Sequence, residues 1–109
     1  MVNQAIHLFK AEFFKALAHP MRICILELLQ EGEKSVGELQ DLLKVESSGV
    51  SQQLAVLRAK NVVDTRKEGT TVYYSLRDPA IGKLLDAARK IFNNHLIDTK
   101  AMLETLQEN

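Results

Sequence analysis

SSGVSQQLAVLR, residues 47–58, separates into two faces when wound as a helix: Val50, Leu54 and Leu57 fall on one side, and Ser47, Ser48, Ser51 and Gln52 on the other. An apolar stripe at that spacing seats a helix on a core. The opposite face differs from the Lys- and Glu-bearing solvated faces elsewhere in the chain, because it is uncharged and rich in short hydrogen-bonding groups. Base edges in the DNA major groove offer donors and acceptors to such groups. This helix is therefore expected to read DNA with one side while the protein holds the other.

Upstream of it, Ser35 and Glu38 have the spacing of a capping box, and Val36, Leu39 and Leu42 supply a buried stripe for a short helix ending near Lys44. Val45 and Glu46 leave room only for a tight connection, so two short helices are joined by a few residues, the helix-turn-helix pattern. Further upstream, Ile6, Phe9, Phe13 and Leu17 mark one stripe of a helix from Asn3 to Ala18, which Phe14 widens. His19-Pro20 interrupts it. Pro20 suits the first position of a second helix, with apolar body Met21, Ile23, Ile25, Leu26, Leu28 and Leu29, and Gly32 is expected to end it.

Downstream of Lys60 the period shortens to two: Val63 and Thr65, then Val72, Tyr74 and Leu76, separated by RKEGT at 66–70. This describes a β-hairpin with a basic tip. Tyr73 and Tyr74 must point to opposite sides of their strand, one into the core and the other toward packing near the last helix. Asp78 is a good N-cap and Pro79 a good first-turn residue. Beyond them, Ile81, Leu85, Ala88, Phe92, His95, Thr99, Met102 and Leu106 alternate steps of four and three. A helix from Pro79 to Leu106 would extend roughly 42 Å, more than a domain of this size needs to cover its own core. A second apolar row, Leu84, Ile91 and Leu103, widens the face enough to meet both its own domain and a second copy of the chain.

The fold class expected is mainly α with a small β-hairpin, in one domain over residues 1–109. The composition, 46% hydrophobic and 26% charged, is that of an ordinary globule. No apolar run approaches the roughly 18 residues of a membrane span, and MVNQAIHLFKAEFF does not have the layout of a signal peptide, so a cytoplasmic protein is expected. The formal net charge is zero, which taken alone argues against a nucleic-acid partner. Residues 44–77, however, hold six basic side chains against three acidic ones, and such a basic middle can face DNA while the whole stays neutral.

Three stretches, LAHPMRICILELL (17–29), SVGELQDLL (35–43) and VSQQLAVLRAKNVVDTRKEGTTVYYSL (50–76), together resemble the ArsR/SmtB family of small bacterial winged-helix repressors. The resemblance implies a winged helix-turn-helix: four helices, a hairpin and a long fifth helix. It also implies a homodimer formed by the first and last helices, with Ile6, Phe9, Phe13, Leu85, Phe92, His95 and Met102 as interface positions. Two copies of the fourth helix would then enter successive major grooves of an imperfect inverted repeat. By position, Ser47, Ser48, Ser51, Gln52 and Gln53 match the family's DNA-facing residues, and Arg66, Lys67, Thr70 and Thr71 its wing. Gln53 stands where many relatives carry His. Chemically, Gln can bond adenine with both ends of its amide, so Gln52 and Gln53 are the candidates for discrimination, while Arg58, Arg66 and Lys67 suit phosphates. Gly49, early in the reading helix, costs about 1 kcal/mol of helix propensity against Ala, which makes sense either as room for a close approach or as tolerance at a helix start.

Metal-sensing members carry cysteines in the third helix; the matching positions here are Gln40 and Leu42, which cannot ligate. On the last helix Asp86, His95 and Asp98 could approach a metal, but Ala88 stands where a further ligand is needed, so no metal or other cofactor is expected and His95 reads as a polar residue of the subunit seam. His19 reads as a helix cap. Cys24, the single cysteine, lies between Ile23 and Ile25 in a helix apolar nearly all round, and its default is a buried inert thiol; thiol-based sensing is the alternative. An enzyme is excluded for want of a nucleophile–base grouping or a phosphate-cradling Gly-rich loop. The competing reading is a winged-helix module that binds protein and never touches DNA, favoured weakly by Glu46 and Glu68 at the edge of the expected DNA surface. No motif identifies an effector.

Overall fold

The computed structural model describes residues 4–108, apart from the side chains of Ser47 and Glu108. Its elements run α1 (Gln4–Leu17), α2 (Pro20–Gln30), β1 (Lys34–Ser35), α3 (Val36–Leu43), α4 (Ser47–Ala59), β2 (Val63–Glu68), β3 (Thr71–Leu76) and α5 (Ala80–Glu108). Asn3, expected to open the first helix, lies outside the described residues.

Local chemistry sets the helix ends. His19 is extended, and its Nδ1 accepts the Met21 amide at 3.1 Å, so Pro20 enters α2 already capped. Ser35 and Glu38 close the capping box at 3.1 Å in each direction, satisfying two amides that the start of α3 leaves free. Lys44 ends α3 in the left-handed region (φ 56), which turns the chain sharply enough for α4 to begin three residues later. The Asp78 carboxylate accepts the Ala80 amide at 2.9 Å and starts α5.

One core holds these pieces together. It takes Ala16 and Leu17 from the last turn of α1, Ile25, Leu26 and Leu29 from α2, Leu39 from α3, Val50, Leu54 and Leu57 from α4, Val62 and Val63, and Ile81 and Leu85 from the start of α5. Helix α5 crosses α2 closely at Gly82, where a Cβ would stand 2.8 Å from Gln30 Cδ. Gln30 donates to Asp86 at 3.0 Å and Arg89 to Glu27 at 2.9 Å, which fasten the first half of α5 to α2.

Among the described residues, the rest of α5 and most of α1 leave large apolar side chains exposed. Phe9 is 67% exposed, Phe92 58% and Met102 61%, with Ile6, Leu8, Ile91, Leu96, Ile97, Leu103 and Leu106 also open. The long helix thus packs on its own domain only near its beginning, as its length implied. No helix among the described residues is long and apolar enough to cross a membrane.

Several expectations need correction. The sheet has three antiparallel strands in the order β1-β3-β2, because Lys34 and Ser35 pair with Tyr74 and Tyr73; two residues are too few to show an alternating pattern. Strand β2 continues through Glu68, since Arg66, Lys67 and Glu68 pair with Tyr73, Val72 and Thr71, leaving a turn at Gly69-Thr70. Leu42 is 54% exposed and Leu39 alone of α3 is fully buried, with Leu43 packed beside it. Leu85, expected at the subunit interface, is 8% exposed within its own core. Tyr74 packs on the core as expected of one ring of the pair, whereas the ring contact of Tyr73 is with the Arg66 guanidinium, 4.9 Å from its centroid. Cys24 is exposed, not buried: the stripe of α2 that turns inward is Ile25, Leu26 and Leu29, and Cys24 sits off it, in an open groove with Leu28, Leu42 and Arg89.

Candidate nucleic-acid interface

The reading helix is anchored from behind. Val50, Leu54 and Leu57 of α4 are completely buried, so each truncation there would open a cavity and unseat the helix. On the other side Ser48, Ser51, Gln52, Ala55 and Arg58 are all exposed. Ser47 belongs to the helix by its backbone, and its side chain lies outside the described part of the structure. Glu46 stands at the N-cap without a capping bond, and its exposed carboxylate is the one acidic group at the start of a helix whose first turn carries no acidic residue. Gly49 has Met21 Cε at 3.9 Å as the nearest neighbour of an added Cβ, an ordinary contact, so crowding within the chain does not explain the glycine.

The two glutamines differ. Gln52 projects freely, but Gln53 is half-buried and its Oε1 accepts the Arg22 Nε–H at 2.9 Å. Arg22 also donates from Nη1 to the Ala16 carbonyl at 3.0 Å. Nothing local in the sequence announces this contact, because the partners are 31 residues apart.

The hairpin of β2 and β3 forms the wing, and its basic residues are unequal too. Arg66 is bound on both sides by carboxylates, Glu33 and Glu68, the latter at 2.9 Å, while stacking on Tyr73. The hydrogen bond from Arg66 holds the Glu33 carboxyl below its ordinary range, and the two carboxylates raise the Arg66 pKa in turn. Glu33 lies outside the basic segment, so its pairing with Arg66 was not visible in the charge count. Lys67 is exposed with no ion pair among the described residues, as are Arg58 and Lys60. Arg77 reaches Asp64 at 3.5 Å and Asn61 at 3.4 Å. Thr70 is exposed at the hairpin turn and Thr71 half-buried beside it. Lys44 is likewise exposed without an ion pair among the described residues, so the positive charge open to a phosphate is Lys44, Arg58, Lys60 and Lys67 more than Arg66 or Arg77.

Among the described residues, no three His, Cys, Asp or Glu side chains gather as a metal site requires. His19 is engaged as the cap of α2, and His95 and Asp98 are exposed on α5.

Comparison with known proteins gives this geometry its setting. The family model described as "Bacterial regulatory protein, arsR family" matches residues 19–65, which runs from the α2 cap into the wing. The HTH-type transcriptional regulator Rv0081 of Mycobacterium tuberculosis is 49% identical over 108 residues, covering 98% of this chain and 95% of its own. Its crystal structure superposes with a TM-score of 0.77 at 50% identity, over 86% of this chain and 95% of that one. The biofilm growth-associated repressor of Agrobacterium fabrum is 42% identical over 75% of this chain and 70% of its own. The crystal structure of NolR from Sinorhizobium fredii has a TM-score of 0.73 at 35% identity, over 84% of this chain and 95% of that one. A buried-backed, polar-faced α4, a hairpin wing within a three-stranded sheet and relatives of this similarity lead to one conclusion: the chain belongs to the arsR family of bacterial regulatory proteins, as a transcription regulator of winged helix-turn-helix fold and not an enzyme.

Proposed function

We propose that this regulator acts in the cytoplasm as a homodimeric repressor, with residues 1–109 as one folding unit, and that it reads an inverted-repeat operator through two copies of α4. The observation that carries the reading is the two-sidedness of α4: Val50, Leu54 and Leu57 are fully buried, while Ser48, Ser51 and Gln52 stand open and uncharged. Ser47, Ser48, Ser51 and Gln52 face base edges and the backbone near them. Gln53 contributes from a restrained position. Arg58 and Lys67 meet phosphates, and Thr70 and Thr71 meet the backbone or minor groove at the wing tip, with Arg66 stiffening the wing from within.

Dimerisation is supported by the exposed apolar residues Ile6 and Phe9 of α1 and Phe92 and Met102 of α5, beside which His95 lies, whereas Phe13, also expected at the interface, is half-buried against its own core. Two-fold symmetry would set the α4 copies about 34 to 36 Å apart, one helical turn of DNA. The partner that never touches DNA is less well supported, because Glu68, one of the two charges that would repel phosphate, is already engaged by Arg66. Regulation through Cys24 is favoured by one observation, its exposure; with no second cysteine in the chain, it would form a disulfide with a small thiol or another molecule.

Selection of duplexes from a random library tests the reading. A two-fold motif with half-sites about 10 base pairs apart is expected, and Gln52→Ala should relax one position of it by about 1–3 kcal/mol. Equal affinity for selected and random duplexes would remove the proposal.

A further inference from the structure

Arg22 joins three helices at one point. It belongs to α2, its Nη1 donates to the Ala16 carbonyl in the last turn of α1, and its Nε donates to the Gln53 side chain on α4. All of these groups are at least partly buried. Arginine has donors only, so it can hold an amide in one sense alone: oxygen toward the guanidinium and NH2 away from it. A glutamine free to rotate can offer either end of its amide, or both together. Gln53 is not free.

We propose that Arg22 is a positioning residue for base reading, holding the Gln53 amide oxygen-inward so that Gln53 meets the groove as a hydrogen-bond donor. This rests on the reading of α4 as the recognition helix. Adenine offers a donor beside an acceptor and is matched by both ends of an amide, whereas guanine offers two acceptors, O6 and N7, and is matched by donors. With its oxygen already serving Arg22, Gln53 favours guanine over adenine at the base pair it faces. The same tie runs to the end of α1, so the setting of Gln53 follows the packing of that helix against α2.

The test compares base preferences, obtained by selection from a random duplex library, for the full-length wild type, Arg22→Met, Gln53→Ala and the double variant. Arg22→Met keeps the apolar stem and removes the donor fork. It is expected to move preference at the Gln53-dependent position from guanine toward adenine by about 5-fold or more, with the salt dependence of binding unchanged. In the Gln53→Ala background the same change should do nothing further. A uniform loss of affinity on all sequences with a smaller salt slope, seen in both backgrounds, would show that Arg22 meets phosphate directly and would overturn the proposal. So would an unaltered preference in Arg22→Met, or a Gln53→Ala variant that keeps the wild-type preference. A wild type without any preference would instead strike the reading of α4 itself. If Arg22→Met fails to fold, Arg22→Lys in the free protein is followed by NMR: the Gln53 side-chain NH2 resonances should shift. Gln53 resonances identical in wild type and Arg22→Lys would overturn the proposal equally.

Discussion

Phe92→Ala offers a direct measure of what the uncovered face of α5 is for. Phe92 is 58% exposed, and a Phe side chain carries roughly 200 Å² of coverable surface, so roughly 115 Å² stands open on each protomer. At about 25 cal/mol per Å² that area is equivalent to about 3 kcal/mol, of which Ala retains about a third. A symmetric dimer feels the substitution twice, giving about 4 kcal/mol if the partner covers the ring fully and about 2 if it covers half. The dimer dissociation constant should therefore rise by about 30- to 1000-fold. Sedimentation equilibrium over a concentration series reads this shift, while thermal unfolding reports the protomer. Because Phe92 lies outside the core, the protomer itself should stay folded. Leu85→Ala is the contrasting control: Leu85 is buried in its own core, so its truncation should cost about 2–5 kcal/mol of folding stability. A Phe92→Ala dissociation constant within experimental error of the wild type, or a wild type that sediments as a monomer throughout, would refute the assignment of this face to a second copy.

Lys67→Ala should weaken all duplexes alike and reduce the salt slope by about one for each phosphate no longer neutralised, whereas Arg66→Ala should change the slope less, because Glu33 and Glu68 already balance that charge; equal slopes for the two variants would contradict this. Since Arg66 depresses the Glu33 pKa, their pairing favours the folded wing above the ordinary glutamate value of 4.5 and is lost as the pH falls through the lowered folded value. A carboxyl NMR titration of Glu33 should show the low midpoint, and Arg66→Ala should restore an ordinary one. Gly82→Ala should force the Gln30 side chain aside and break its 3.0 Å bond to Asp86; in a Gln30→Ala background the same change should raise stability by up to about 1 kcal/mol through helix propensity, and a thermal melt showing the same loss in both backgrounds would count against the close approach.

Much of the site is legible in the order of residues alone. The apolar spacing of Val50, Leu54 and Leu57 carries its own geometry, because a helix repeats every 3.6 residues and fixes which side chains share a face. Caps at His19, Ser35 and Asp78 can be placed for the same reason: their partners lie within three residues along the chain. The excess length of the last helix is a matter of counting.

What escaped the sequence has a common cause, contact between residues far apart in the chain. The strand at Lys34–Ser35 exists because β3 lies beside it. Cys24 is open and Leu85 closed according to how α2 and α5 meet, although each sits in an apolar stretch. Glu33 reaches Arg66 across 33 positions and Arg22 reaches Gln53 across 31, and these two contacts decide which wing charge is neutralised and which glutamine is restrained. Period and capping chemistry act within a few residues, so the sequence by itself determined the helices, the hairpin and the polar reading face. The setting of individual side chains on that face awaited the tertiary structure, because it depends on neighbours that only folding brings together.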